Sequence, residues 1–150
     1  MQTCENVQIK VTSTKDTKLS AIRSCDSAFT ISVAERDDFE KLFRKIDTCA
    51  DFIVATVDDS PIGYAALYAN NKESGEAFIT LIGVDKNFQG NHIGKSLIDN
   101  CISISKQRGM RTIRLEVLDV DNGAQDFYKK QGFVEDGRCS ERSKYMKMYL

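Results

Sequence analysis

The segment Gln89-Gly90-Asn91-His92-Ile93-Gly94-Lys95-Ser96 has the residue types and spacing best suited to hold a ligand. It lies between a strongly apolar run, residues 77–84, and an apolar stripe at helical spacing, Leu97, Ile98, Cys101 and Ile102. A glycine-bearing loop that opens a helix aims several backbone N–H groups one way, and the helix dipole adds partial positive charge. Phosphate or pyrophosphate is then a natural guest. The plainer alternative is that Gly90 is a turn residue and Gly94 a packing residue. A Walker A loop needs four residues between its two glycines, whereas only Asn91, His92 and Ile93 separate Gly90 from Gly94. Nucleotide phosphotransfer is therefore disfavoured. Metal chemistry is not expected either. The chain has one histidine, and its five cysteines (Cys4, Cys25, Cys49, Cys101, Cys139) include no close pair. Neither CxxC metal spacing nor a complete disulfide framework fits, and the cysteines read as reduced thiols.

Three segments together resemble the GNAT acetyltransferase superfamily. The loop is similar to the family's Arg/Gln-x-x-Gly-x-Gly/Ala pattern, with Gln89 first, Gly94 last and His92 where the middle glycine is usual. If that position requires a positive φ, histidine is strained there but more tolerable than a β-branched residue. Asp121-Asn122-Gly123-Ala124-Gln125-Asp126-Phe127-Tyr128 through Gly132-Phe133 resembles the family's Asn-x-x-Ala-x-x-Leu/Phe-Tyr-x-x-x-Gly-Phe segment, with Asp121 at the usual Asn. The closing Tyr145-Met146-Lys147-Met148-Tyr149-Leu150 is similar to the family's last strand. The match covers about residues 52–150 well and the first fifty weakly.

This resemblance implies acetyl-CoA as acetyl donor, no metal, and direct transfer to a primary amine. It assigns Gln89, Gly90, Asn91, His92, Ile93, Gly94 and Lys95 to the pyrophosphate, and the backbone of Ile82, Gly83 and Val84 to the carbonyl and pantetheine amides. Asp121, Ala124 and Tyr128 complete the cofactor set. The strand holding residues 82–84 is expected to splay from its neighbour at about residues 113–117. A non-catalytic acyl-CoA-binding or sensing module is the alternative, suggested by the departures at His92 and Asp121.

Acetyl transfer needs a neutral amine and a proton for the departing thiolate. A lysine-like amine of pKa about 10.4 is neutral in roughly one molecule in 2,500 at pH 7, so its deprotonation costs about 4.6 kcal/mol. Tyr128 suits the acid role, because a phenol of pKa about 10 stays protonated at neutral pH; by resemblance it matches the family's tyrosine acid. Two carboxylates compete for the base. Glu116 points opposite to its apolar neighbours Leu115 and Val117 and looks like the base of ribosomal-protein N-terminal acetyltransferases. Glu76 opens the apolar run before the loop, similar to the glutamate of histone-type members. A carboxylate near pKa 4.3 needs partial burial or a bridging water to serve. Cys101 falls on the apolar stripe and reads as core.

The elements that must position these groups follow from periodicity. Residues 7–11 alternate as a half-buried strand, and a helix is placed over about 17–27. Ser32-x-x-Glu35 is a capping-box pattern, with Phe39, Leu42, Phe43 and Ile46 behind it at helical spacing, which predicts a helix over about 33–48. Residues 52–57 and 62–69 flank a turn at Asp58 to Pro61 as a hairpin. Strands at 77–84 and 112–118, a helix from Gly94 to Gly109, a short helix ending at Gly132, and strands at about 133–136 and 143–149 complete the order. The expected fold is one α+β domain over residues 1–150. It has a mixed, mostly antiparallel sheet of six to seven strands and about four helices.

Composition agrees with one globular domain: 150 residues, 41% hydrophobic and 29% charged. The formal charge of -1 argues against a nucleic-acid partner. Residues 1–75 carry 9 basic and 12 acidic side chains and residues 76–150 carry 12 and 10, so an anion site belongs in the second half. No signal-peptide pattern or membrane-length apolar run is present, which points to a cytoplasmic protein with no membrane partner. The partner expected is a small-molecule or peptide amine, with a homodimer held open.

Overall fold

Apolar alternation along residues 7–12 and 112–118 and near-continuous apolar runs between them give a computed structural model built on one sheet, with residues 6–150 described. Cys4 lies outside those residues. The strands are β1 (Val7–Thr12), β2 (Asp51–Val57), β3 (Ser60–Tyr68), β4 (Glu76–Val84), β5 (Thr112–Leu118), β6 (Val134–Arg138) and β7 (Ser143–Tyr149). The helices are α1 (Lys15–Ser24), α2 (Phe39–Cys49), α3 (Ile93–Gln107) and α4 (Asn122–Gln131). The sheet runs β1-β2-β3-β4-β5-β7-β6. Among the described residues only β4 and β5 are parallel; every other neighbouring pair is antiparallel. This is the mixed α+β architecture that the sequence predicts.

Each face of the sheet carries its own core. On one, α3 and α4 bury Leu97, Ile98, Cys101 and Tyr128 against Ile53, Leu67, Ile79, Ile113 and Leu115. On the other, α1 and α2 bury Ile22, Phe43 and Ile46 against Phe52, Val54, Tyr64 and Leu81. Glu116 faces away from the buried pair Leu115 and Val117, on the α1/α2 side of β5.

β4 carries one irregularity in its pairing with β3. Leu67 pairs with Ile79 and Ala66 with Leu81, so Thr80 has no partner across β3. Such a bulge bends its strand and shifts the side-chain alternation. Ile79 accordingly belongs to the α3/α4 core, whereas Leu81 belongs to the α1/α2 core. The parallel ladder to β5 runs from Glu76 opposite Thr112 to Ile79 opposite Leu115 and stops there. Beyond it β4 stays paired with β3, and β5 with β7. The two strands thus part at the bulge; the splay expected at about residues 113–117 begins only after Leu115, because Ile113 to Leu115 remain paired with β4.

The helix expected over 33–48 needs correction, because α2 begins only at Phe39. Ser32 Oγ does accept from Glu35 N at 3.2 Å, but it also donates to Asp26 Oδ2 at 2.6 Å. Asp26 Oδ1 accepts from Val33 N at 2.9 Å. These bonds, between residues six and seven apart, draw residues 26–34 into a closed loop, and the capping-box pattern caps a turn. The stripe of Phe39, Phe43 and Ile46 is still the buried face of α2, as its spacing predicts.

Candidate active site

The gap between β4 and β5 opens into a cleft of about 450 Å³. Its floor and sides are Ile79–Ile82 of β4, Leu115–Leu118 of β5, and Asp121, Ala124 and Tyr128 at α4. The remaining wall comes from the segment between α1 and α2, where Ala28, Phe29, Thr30, Ile31, Val33 and Arg36 line it. Where the strands part, the β4 backbone groups that face β5 lack a strand partner. Such groups readily bond an extended chain or an amide-bearing ligand.

Tyr128 reaches the cleft from the α3/α4 face and is 9% exposed. Phe127 and Phe133 fix its ring edge-on, at centroid distances of 5.5 and 5.9 Å. Burial above all, then the nearby Asp121 and Cys101, raises its phenol above the ordinary tyrosine value, so it holds its proton at neutral pH. Glu116 lines the same cleft from the opposite face of the sheet. Its Oε2 accepts from Ser143 Oγ at 2.6 Å, and Ser143 Oγ is in turn 2.9 Å from Ser140 Oγ. The acid and one of the two candidate bases therefore flank the splay from opposite sides.

Glu76 stands elsewhere, at the start of β4 where the ladder to β5 is intact. It is ion-paired with Lys147 at 3.3 Å and with Arg114 at 3.8 Å, and it is absent from the cleft lining. Asp136 closes this cluster, 3.0 Å from Arg114 and 3.6 Å from Lys147.

The loop after β4 differs residue by residue. Gly90 has φ +87° and open space around its α-carbon, so side-chain-free backbone is presented there. His92 has φ +61° and is the N-cap of α3, with no side-chain hydrogen bond capping the helix. The first N–H groups of α3 are thus left for a ligand or solvent. Histidine is among the residues that tolerate this left-handed conformation, which accounts for its presence at the usual glycine. A Cβ on Gly94 would lie 3.1 Å from Phe127 Cζ, so Gly94 lets α3 approach α4. Ile93 is buried in the core and can offer only its backbone. Gln89 Nε2 donates to Val84 O at 3.1 Å, and Asn91 Nδ2 to Phe88 O at 3.1 Å. Both side chains brace the loop. Lys95 pairs with Asp99 at 2.8 Å on the exposed side of α3.

Asp121 is the N-cap of α4, its Oδ1 accepting from Ala124 N at 3.1 Å. Ile82 and Val84 pack toward the α3/α4 core, whereas Gly83 faces the other way, against Ala28 and Phe29. Cys101 is fully buried and its thiol is pushed up to about 12 by burial, with Asp51 adding to the effect. It is unsuited to nucleophilic attack. The wall formed by residues 28–36 is absent from the sequence-based site. Its one signal was Asp26 followed by Ser32, a polar pair in a turn-rich stretch. Among the described residues no His/Cys/Asp/Glu group suits a metal ion, and no helix is long and apolar enough to cross a membrane.

Residues 19–133 match the Acetyltransferase (GNAT) family. An uncharacterized N-acetyltransferase of Methanocaldococcus jannaschii is 41% identical over 88 residues, which is 56% of this chain and 39% of that protein. The chain spans about two fifths of the length of the curated relatives it matches. Among solved structures, a PaiA N-acetyltransferase of Thermoplasma acidophilum in complex with coenzyme A superposes with TM-score 0.81 at 18% identity, covering 97% of this chain and 99% of that one. The ribosomal-protein-S18-alanine N-acetyltransferase of Escherichia coli gives TM-score 0.77 at 18% identity, covering 96% and 94%. At these identities the two structures establish the likeness of fold.

Proposed function

The chain belongs to the GNAT acetyltransferase family, and on that premise we propose that it transfers the acetyl group of acetyl-CoA to a primary amine by direct attack. The observation that carries this proposal is the placement of Tyr128 and Glu116 on opposite faces of the splay between β4 and β5. Acetyl-CoA would supply an activated thioester. The uncapped N-terminus of α3 with Gly90 would hold its pyrophosphate, and the open β4 edge at Ile82–Val84 its amides. Asp121 and Ala124 would border it at α4. Tyr128, whose phenol is protonated at neutral pH, holds the proton for the departing sulfur. Glu116, fixed by Ser143, takes the proton of the incoming amine directly or through water. Glu76, already neutralised by Lys147 and Arg114, serves in this proposal as a structural residue.

No observation favours a non-catalytic acyl-CoA-binding module. The two departures that suggested it each have a backbone role: His92 adopts the left-handed conformation and Asp121 caps α4. Two measurements test the proposal. Thermal shifts should show stabilisation by acetyl-CoA and CoA but not by Mg-ATP. Tyr128→Phe should lower kcat by about 10²-fold or more with little change in the KM for acetyl-CoA. Near-normal turnover in that variant removes the acid assignment, and absence of acetyl-CoA stabilisation removes the proposal as a whole. The cytoplasm is the proposed location.

A further inference from the structure

We infer that the preferred acceptor is a primary monoamine whose amino group adjoins an apolar substituent, rather than a polyamine or an amino sugar. This rests on the acetyltransferase proposal above and specifies the substrate class of the same cleft. The two faces of the splay divide the work. The α3 N-terminus and Tyr128 lie on the α3/α4 face, so the acceptor enters from the face that carries Glu116 and the segment after α1.

Charge on that side is sparse. Three charged residues line the cleft: Arg36 forms a fork with Asp38 at 2.9 and 3.0 Å, Asp121 stands at the start of α4 on the α3/α4 face, where its Oδ1 caps the helix at 3.1 Å, and Glu116 is the carboxylate on the acceptor face. Glu116 uses Oε2 to accept from Ser143 and is in no salt bridge among the described residues. One available carboxylate matches one ammonium. A second ammonium would meet no further carboxylate on the acceptor face of the cleft, and desolvating an unpaired charge is expensive.

Apart from Thr30 and Arg36, the acceptor wall is apolar. Ala28, Phe29, Ile31 and Val33 line it, and Ile31 stands 58% exposed at its rim. The wall is also held in place. Asp26 ties residues 26–34 through Ser32 and Val33, and Phe29 packs where Gly83 lacks a Cβ. A pre-set apolar wall gains from covering hydrocarbon, whereas sugar hydroxyls laid on it would lose water without gaining partners.

The test uses the full chain with saturating acetyl-CoA and measures CoA release with four acceptors: isoamylamine, a pentapeptide beginning with leucine, spermidine and glucosamine. The better apolar acceptor should exceed both spermidine and glucosamine in kcat/KM by about tenfold or more. Comparison of the two apolar acceptors distinguishes a free amine from a peptide N-terminus as the source. Ile31→Asn, at an exposed position where folding is not at stake, should raise the KM for the better apolar acceptor about tenfold and leave the KM for acetyl-CoA unchanged. Preference for spermidine or glucosamine, or an unchanged acceptor KM in Ile31→Asn, overturns the inference while acetyl-CoA-dependent turnover upholds the acetyltransferase proposal. No acetyl-CoA stabilisation and no turnover with any amine overturns both.

Discussion

Gly83→Ala adds a single methyl group at the point where the acceptor wall meets the sheet. The new Cβ would lie 2.9 Å from the Cβ of Ala28 and 2.9 Å from Cε2 and Cζ of Phe29. Carbon atoms settle at about 3.5–4.0 Å, so these neighbours must withdraw by roughly 0.6–1 Å. Rotation of the Phe29 ring relieves part of the clash, but the Cβ of Ala28 is fixed to the backbone, so the segment itself has to move. Overpacking of this kind costs about 1–3 kcal/mol. At roughly 2–4 °C per kcal/mol for a chain of this size, Tm falls by about 2–12 °C. The displaced wall lines the cleft beside Glu116, where a misplacement near 1 Å can cost up to about 10²-fold in rate. The assay is a thermal melt together with steady-state kinetics varying each substrate separately. We expect kcat/KM for the amine to fall by about ten- to a hundredfold, with the KM for acetyl-CoA changed less than twofold. Adding Phe29→Ala should recover part of the Tm relative to the sum of the single effects. A wild-type Tm and acceptor KM would refute the packing argument. An equal loss in both KM values would show that Gly83 acts through the β4 edge instead.

Three further outcomes can be measured. Asp26→Ala should destabilise the chain by about 1–2 kcal/mol at pH 7, because Val33 N–H and Ser32 Oγ lose their acceptor. Burial raises the Asp26 carboxyl, but the bonds from Ser32, Val33 and Ala34 outweigh it and hold the folded value below the ordinary one. Its contribution is therefore present above the unfolded carboxylate value and fades as pH falls through the folded value. In urea melts the gap between wild type and Asp26→Ala should shrink below about pH 4, and a constant gap would contradict the assignment. Native thiol labelling at pH 8 mapped by mass spectrometry should modify exposed Cys49 readily and leave Cys25 and Cys101, both pushed up to about 12 chiefly by burial, unmodified until unfolding. Rapid native labelling of Cys101 would contradict its place in the core. Glu76→Gln should keep kcat within about twofold, whereas Glu116→Gln should lower it by about 10²-fold; the reverse pattern moves the base to Glu76.

The strand and helix order was legible because most elements announce themselves locally. Leu97, Ile98 and Cys101 share one helical face and are all buried, and Ile113, Leu115 and Val117 alternate into the same core. Gly132, with φ +108°, ends α4 where its position suggests. The start of α2 was less legible. A capping-box pattern is a local signal, and it was overridden by Asp26, whose partners lie six and seven residues away. The competition between Glu116 and Glu76 was equally hidden, because both are carboxylates on strands that pair with each other.

The sequence by itself determined the elements, the glycine-bearing loop that opens α3, and the phenol and carboxylates available for proton transfer, since periodicity and residue type are local properties. Tertiary structure decided where the strands part, because the Thr80 bulge is an offset between β3 and β4 that no single strand records. It also decided which carboxylate borders that gap. Glu116 lies beyond the end of the β4–β5 ladder, and Glu76 lies within it, bound to Lys147 and Arg114. The wall at residues 28–36 likewise exists only because Gly83, more than forty residues later, leaves room for Phe29. Such contacts depend on register and packing between distant segments, and those are fixed only when the chain has folded.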